Sequence, residues 1–174
     1  MIKPRKPNRL IVYDYSLPGY YFVTICANNM QELFGSVRDG KMIMNNNGIL
    51  VYQNLIKIAE FNKEIELDEF FVMPNHIDMV IIINVGDAKF ASPTTSGYND
   101  RTKMTLSKII QQFKRGCSLS LRNIDSSIQK LWQRSFYDRI IRNEKELHNI
   151  RKYIRENPLQ WDLEKILPEN LELE

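Results

Sequence analysis

The sequence predicts an α+β sandwich of ferredoxin-like type, with a mostly antiparallel central sheet and helices on one face. Three observations carry this. Segments of strand and helix character follow one another in the order strand, strand, helix, strand, strand, helix, strand, helix. Two strands, 65–72 and 76–83, are separated only by Met73-Pro74-Asn75, a hairpin spacing, and their apolar content is expected to place both centrally in a sheet. The 174 residues, 43% hydrophobic and 26% charged, are enough for one ordinary domain with a core and too few for two.

Residues 20–27, YYFVTICA, are aromatic and β-branched and read as a buried strand. A second strand is expected around Gly40 to Met44, after the turn-like Arg38-Asp39-Gly40. From Gly48 to Phe61, Leu50, Val51, Leu55, Ile58, Ala59 and Phe61 recur at three and four residues, which is an amphipathic helix. Residues 84–102 lose periodicity and gain Gly, Pro, Ser, Thr and Asn, a surface-loop composition. Leu106, Ile109, Ile110, Phe113 and Cys117 then mark a helix with lysines on its other side, and 131–141 is a candidate strand. The last helix starts at Asn143, where Glu146 three residues on makes a capping-box signal. It is expected to stop near Asn157, because Pro158 disfavours α geometry in the residue before it. Residues 1–161 thus form one domain and 162–174 an acidic, loosely docked extension.

This composition excludes wholesale disorder and fibrous repeats. No apolar run reaches the roughly 18 residues that cross a bilayer, and the basic start MIKPRKPNRL is followed by no signal-peptide core, so a cytoplasmic location without membrane contact is expected. Two cysteines, Cys26 and Cys117, are too few for a disulfide framework or a zinc motif. There is no Gly-rich phosphate loop. The net charge of +3 hides a division: residues 1–100 carry −2, 101–155 carry +10 and 156–174 carry −5. A +10 block suits a phosphate-backbone partner, and equally a solvated helix face. Its Lys103, Lys108, Lys114, Arg115, Arg122, Arg134 and Arg139 are interleaved with Phe113, Trp132, Phe136 and Tyr137, either core aromatics or stacking platforms for single-stranded or hairpin nucleic acid.

Two constellations could carry chemistry. In the strand beginning at His76, alternation points His76 and Asp78 to one face and Ile77 and Met79 to the other. One imidazole and one carboxylate form a two-ligand edge suited to Mg²⁺ or Mn²⁺; as an isolated pattern, a hydrogen-bonded structural pair is the commoner outcome. On the last helix, Tyr153 and Asn157 stand four apart on one face, among Arg142, Arg151, Lys152 and Arg155. A phenol becomes a usable nucleophile when cations or a metal stabilise its phenolate.

Three stretches in combination are more specific: Tyr13-Asp14-Tyr15-Ser16 to Thr24-Ile25-Cys26 with Phe34-Gly35; Met73-Pro74-Asn75-His76-Ile77-Asp78; and Trp132-Gln133-Arg134-Ser135-Phe136-Tyr137-Asp138 through Ile141-Arg142-Asn143-Glu144 to Tyr153-Ile154-Arg155-Glu156-Asn157-Pro158. Over about residues 9–161 the chain resembles the REP-associated tyrosine transposases of the HUH superfamily. The resemblance implies a ferredoxin-like sheet with a His-hydrophobic-His pair on a central strand and one catalytic tyrosine on a later helix. It implies attack on a phosphodiester of single-stranded DNA, a 5′-phosphotyrosine link, a free 3′-hydroxyl and a divalent metal, Mg²⁺ or Mn²⁺. Residue by residue, the nucleophile matches Tyr153, with Tyr137 ranked below it; the first metal ligand matches His76, and a helix-borne ligand matches Asn157. Asp78 stands where the family has its second histidine. Asp78 as a ligand, a weakened site in a non-catalytic hairpin-DNA binder, and an aspartate peculiar to this chain all stay open. Lys103, Lys108, Lys114, Arg115, Arg134, Arg139, Arg142, Arg151, Lys152 and Arg155 are the expected DNA contacts, and monomer and dimer are both open.

Overall fold

The structure is a computed structural model and describes residues 18–83 and 105–166. The Tyr13-Asp14-Tyr15-Ser16 stretch, the expected loop 84–102, Lys103 and residues 167–174 lie outside the described residues. Strand β1 (Gly19–Cys26) leads through a short 3-10 turn to a hairpin of β2 (Gly35–Arg38) and β3 (Lys41–Met44). Helix α1 (Asn46–Phe61), strands β4 (Ile65–Val72) and β5 (His76–Ile83), helix α2 (Thr105–Ile124), strand β6 (Tyr137–Ile141) and helix α3 (Glu144–Ile166) follow.

Strands pair in the order β4-β5-β1-β6, every neighbour antiparallel, so β5 is central as expected but β4 is an edge strand, in keeping with its acidic Glu66, Asp68 and Glu69. With α1 between β1 and β4 and α2 between β5 and β6, this is the ferredoxin-like arrangement that the sequence predicts. Period-two alternation divides the core. Tyr21, Val23 and Ile25 of β1 and Ile77, Met79 and Ile81 of β5 pack with Val51 and Leu55 of α1 and with Leu106, Ile110, Phe113 and Leu121 of α2. Phe22 and Val80, one residue out of phase, pack instead with Leu147 and Ile154 of α3. The two core helices therefore share one face and α3 covers the other, whereas the sequence predicts all helices on one face. The cause is the sequence of β1 and β5, which are apolar on both faces and need a second cover.

The single strand expected at Gly40–Met44 is the second arm of a hairpin inserted ahead of α1. Its Asp39-Gly40 corner has φ of 51° and 67°, the pair of positive values that a two-residue turn of the I′ type requires. The strand expected over 131–141 is shorter, 137–141, although Trp132 makes an isolated bridge to Ala27.

Helix α3 starts as expected: Asn143 Oδ1 accepts from the Glu146 N–H at 2.9 Å, and Glu146 Oε2 accepts from the Arg142 N–H at 3.0 Å. It does not end at Asn157 but runs through Pro158 to Ile166. Proline removes one backbone hydrogen bond and crowds the preceding turn. Tertiary contacts offset this: Leu159 abuts Gly40, and Asp162 Oδ2 accepts from the Gly40 N–H at 2.8 Å. The first residues of the expected extension thus belong to a docked helix. Further back, the strand β4 register shifts between Leu67 and Phe70. This bulge lets the consecutive Asp68 and Glu69 both reach α3, which regular alternation would forbid. Asp68 Oδ2 binds Arg151 at 2.7 and 2.9 Å, and Glu69 Oε2 binds Arg155 at 2.6 and 2.7 Å.

Candidate active site

Strand register assembles a row of chemistry-bearing residues beneath α3. Asp78 of β5 lies opposite Thr24 of β1, Thr24 opposite Tyr137 of β6, and Phe71 of β4 opposite Asp78. Directly paired residues point to the same face, so Phe71, Asp78, Thr24 and Tyr137 form one line across the sheet. His76 is paired with Cys26 in the neighbouring line.

On this floor three side chains converge. His76 Nε2 is 3.3 Å from Asp78 Oδ2. From α3, Asn157 Nδ2 donates to Asp78 Oδ2 at 2.8 Å and lies 3.3 Å from His76 Nε2. Asp78 is fully buried, with His76 and Asn157 only 9% and 7% exposed. A buried carboxylate is costly unless it is well hydrogen-bonded, and Thr24 meets part of that need: its hydroxyl donates to Asp78 Oδ1 at 2.5 Å. Asn75 Oδ1 meets His76 Nδ1 at 2.7 Å. Trp161, in the part of α3 beyond Pro158, lies over His76 with 5.9 Å between ring centroids.

The donor set can be tested against a metal. Two neighbouring ligands on an octahedral ion, each about 2.1 Å from it, are about 3 Å apart. The separations of 2.8, 3.3 and 3.3 Å among the three side chains match that edge. Half a turn of the Asn157 amide presents its oxygen in place of its nitrogen. One imidazole nitrogen and two oxygens suit Mg²⁺ or Mn²⁺ better than zinc. Among the described residues no three His, Cys, Asp or Glu side chains group to hold a metal; the third donor here is an amide.

Tyr153 stands one turn before Asn157, about 6 Å along the helix axis, and is 51% exposed. Its ring meets Phe22 edge-on at 6.0 Å, and Tyr137 meets the same Phe22 at 6.3 Å, so both phenols flank one ring of the sheet floor. Cys26, half-buried, has its thiol pKa pushed up, first by burial and then by the negative charge of Asp78, against a smaller opposing effect of Lys114. Cys117 is buried and its pKa is raised by that burial; both thiols are free.

The basic residues do not form one surface. Lys108, Lys114 and Arg115 lie on α2, across the sheet from the site. Lys114 Nζ donates to the carbonyls of Gln133 and Ser135 at 2.9 and 2.8 Å, tying α2 to the segment before β6. Arg151 and Arg155 clamp α3 to the β4 bulge, and the Asp68 contact raises the Arg151 pKa further. Arg139 pairs with Glu146 at 2.6 Å, and Lys152 approaches Glu156 at 3.9 Å. Arg134 and Arg142 are exposed. Phe113 and Trp132, weighed as stacking platforms, are buried in the core; Trp132 packs on Phe34 and Phe113 at 5.3 and 5.7 Å. Sequence reasoning missed the roles of Thr24, Asn75 and Trp161. Thr24 is readable only through strand register, Asn75 only through its contacts, and Trp161 only once the helix is known to pass Pro158.

No family model matches the chain. Over 170 residues, 95% of this chain and 94% of its relative, it is 35% identical to an uncharacterized protein of Haemophilus influenzae. Among solved structures, it is similar to a REP-associated tyrosine transposase bound to a REP hairpin, with a TM-score of 0.59, 18% identity, and coverage of 92% of this chain and 74% of that one. At that identity the likeness establishes a shared fold.

Proposed function

The chain belongs to one family with the Haemophilus influenzae protein, and we propose that it is a tyrosine transposase that cleaves and rejoins single-stranded DNA at hairpins, with a divalent metal. The observation that carries the proposal is the convergence of His76, Asp78 and Asn157 within 2.8–3.3 Å of one another, one helical turn from an exposed tyrosine. The fold shared with a hairpin-bound transposase supports the choice of substrate.

His76 Nε2, Asp78 Oδ2 and the Asn157 amide oxygen would hold Mg²⁺ or Mn²⁺. When bound, that ion supplies Lewis-acid polarisation of a non-bridging phosphate oxygen. Tyr153 Oη attacks phosphorus in line, and the bond from phosphorus to the 3′ oxygen breaks. The phenol proton passes to solvent and the leaving 3′ oxygen takes one up. The products are a 5′-phosphotyrosine and a 3′-hydroxyl, and the new ester keeps the bond energy needed to rejoin another 3′-hydroxyl. Exposed Lys152 adjoins the nucleophile on α3, suited to a phosphate beside the cut, and exposed Arg142, about three turns earlier at the helix entry, is suited to a phosphate farther along the strand.

A second reading is favoured by one observation, the aspartate at position 78: a hairpin-DNA binder without cleavage. Comparing Asp78→Ala with the unchanged protein separates the two. The transposase reading expects metal-dependent nicking of a labelled hairpin oligonucleotide to fall at least a hundredfold while its binding changes severalfold at most. Hairpin binding with no nicking by the unchanged protein would favour the binder, whereas equal loss of nicking and binding in Asp78→Ala would make Asp78 a structural residue.

A further inference from the structure

We propose that Asn75 is a positioning residue: its side-chain oxygen fixes His76 as the Nδ1–H tautomer, so that Nε2 offers its lone pair to the cation site, and the turn at Asn29–Met30 holds Asn75 in that orientation. The functional consequence rests on the metal site proposed above; the tautomer itself does not.

Hydrogen-bond polarity decides the assignment. Asn75 Nδ2 donates to the Met30 carbonyl at 3.3 Å. A carbonyl only accepts, so the NH₂ end of the amide must face Met30 and the oxygen must face His76. That oxygen also only accepts, and it lies 2.7 Å from Nδ1. Nδ1 therefore carries a proton, and in the neutral imidazole this leaves the Nε2 lone pair beside Asp78 Oδ2 and the Asn157 amide. This is the arrangement by which outer residues orient a ligating histidine.

The anchorage of Asn75 has a conformational cost. Asn29 and Met30 both have φ of 54°. Asparagine tolerates that region, whereas methionine there costs about 1–3 kcal/mol. The Met30 side chain is 46% exposed, so its own burial does not offset the strain. What the turn gains is backbone placement: the Met30 N–H is spent on the Ala27 carbonyl at 3.1 Å, and its carbonyl faces Asn75. The Asn75 carbonyl in turn accepts from the Ala27 N–H at 2.8 Å, and the adjacent Pro74 carbonyl accepts from the Phe34 N–H at 2.9 Å. Asn75, 7% exposed, is thus fixed through backbone and side chain by the segment joining β1 to β2.

The test is long-range ¹H–¹⁵N NMR of the imidazoles in full-length, metal-free protein, well above the ordinary histidine pKa of about 6.5, with His148→Gln to assign the two rings. Mn²⁺ titration of the same samples provides the second readout. The proposal expects the Nδ1–H tautomer at His76, its retention in Asn75→Asp, which keeps the acceptor, and its loss in Asn75→Ala. With that loss, Mn²⁺ affinity should fall about tenfold to a hundredfold. An Nε2–H tautomer in the unchanged protein overturns the proposal, and that measurement stands even if Asn75→Ala does not fold. An unchanged tautomer in folded Asn75→Ala, or a changed tautomer with undiminished Mn²⁺ affinity, overturns it equally. Failure of the unchanged protein to bind Mn²⁺ strikes the metal site and leaves the tautomer assignment standing.

Discussion

Asp78 concentrates the physical tension of the site in one side chain. It is fully buried, and its two oxygens are divided between Thr24 on one side and Asn157 on the other. Thr24→Val keeps the shape and removes the donor, leaving a buried carboxylate oxygen without that bond. The expected loss is about 1–3 kcal/mol of stability, read as a lower midpoint in urea denaturation with an unchanged slope. Cys26 reports the same charge. Because Asp78 adds to burial in raising the Cys26 pKa, less thiolate is present at any given pH. Asp78→Asn removes the repulsion and should speed alkylation of Cys26 severalfold near neutral pH; a slower reaction would mean that Asp78 does not govern this thiol. Of this environment, the shared face of His76 and Asp78 is legible in strand alternation. The Thr24 contact is not, because it joins residues 54 positions apart and depends on the register of β1 against β5.

Among the elements, the strands are the most legible, since β1, β4 and β5 carry dense β-branched and aromatic runs close to the expected limits. Helix α3 shows where local rules yield. The rule for the residue before proline predicts an end at Asn157, yet Asp162, Leu159 and Trp161 dock the following turns on the hairpin and the site. Those contacts come from residues more than a hundred positions earlier and from the site itself, so no local signal announces them. The hairpin-to-α1 junction gives a test of opposite sign to propensity. Alanine ordinarily favours a helix by about 1 kcal/mol over glycine. A Cβ on Gly48, however, would lie 2.1 Å from the Phe34 carbonyl oxygen. Gly48→Ala should therefore destabilise the protein by at least about 1–3 kcal/mol, measurable as a reduced thermal midpoint; a stabilised variant would show that the junction relaxes freely.

For the whole molecule, the ferredoxin-like order follows from the spacing of apolar segments, while the side taken by α3 does not. An amphipathic pattern says that a helix needs a partner, not which face of the sheet supplies it. Charge behaves similarly. The +10 segment is evident in the sequence, but the structure spreads it over both faces and uses Arg151, Arg155 and Arg139 to hold the protein together. Even two phosphate contacts by the remaining cations predict at least about a tenfold loss of hairpin affinity between 50 and 200 mM salt; a flat titration would remove electrostatics from the binding account. Among the described residues no helix is long and apolar enough to cross a membrane. The central claim, that His76, Asp78, Asn157 and Tyr153 form one catalytic unit, is tested most directly by a denaturing gel. The protein and its Tyr153→Phe variant are mixed with labelled single-stranded hairpin oligonucleotides and Mg²⁺ or Mn²⁺. The account predicts a covalent protein–DNA adduct that requires metal and is absent in Tyr153→Phe, whose hairpin binding stays within about twofold. Salt-sensitive hairpin binding with no adduct, or an adduct that survives Tyr153→Phe, would contradict it.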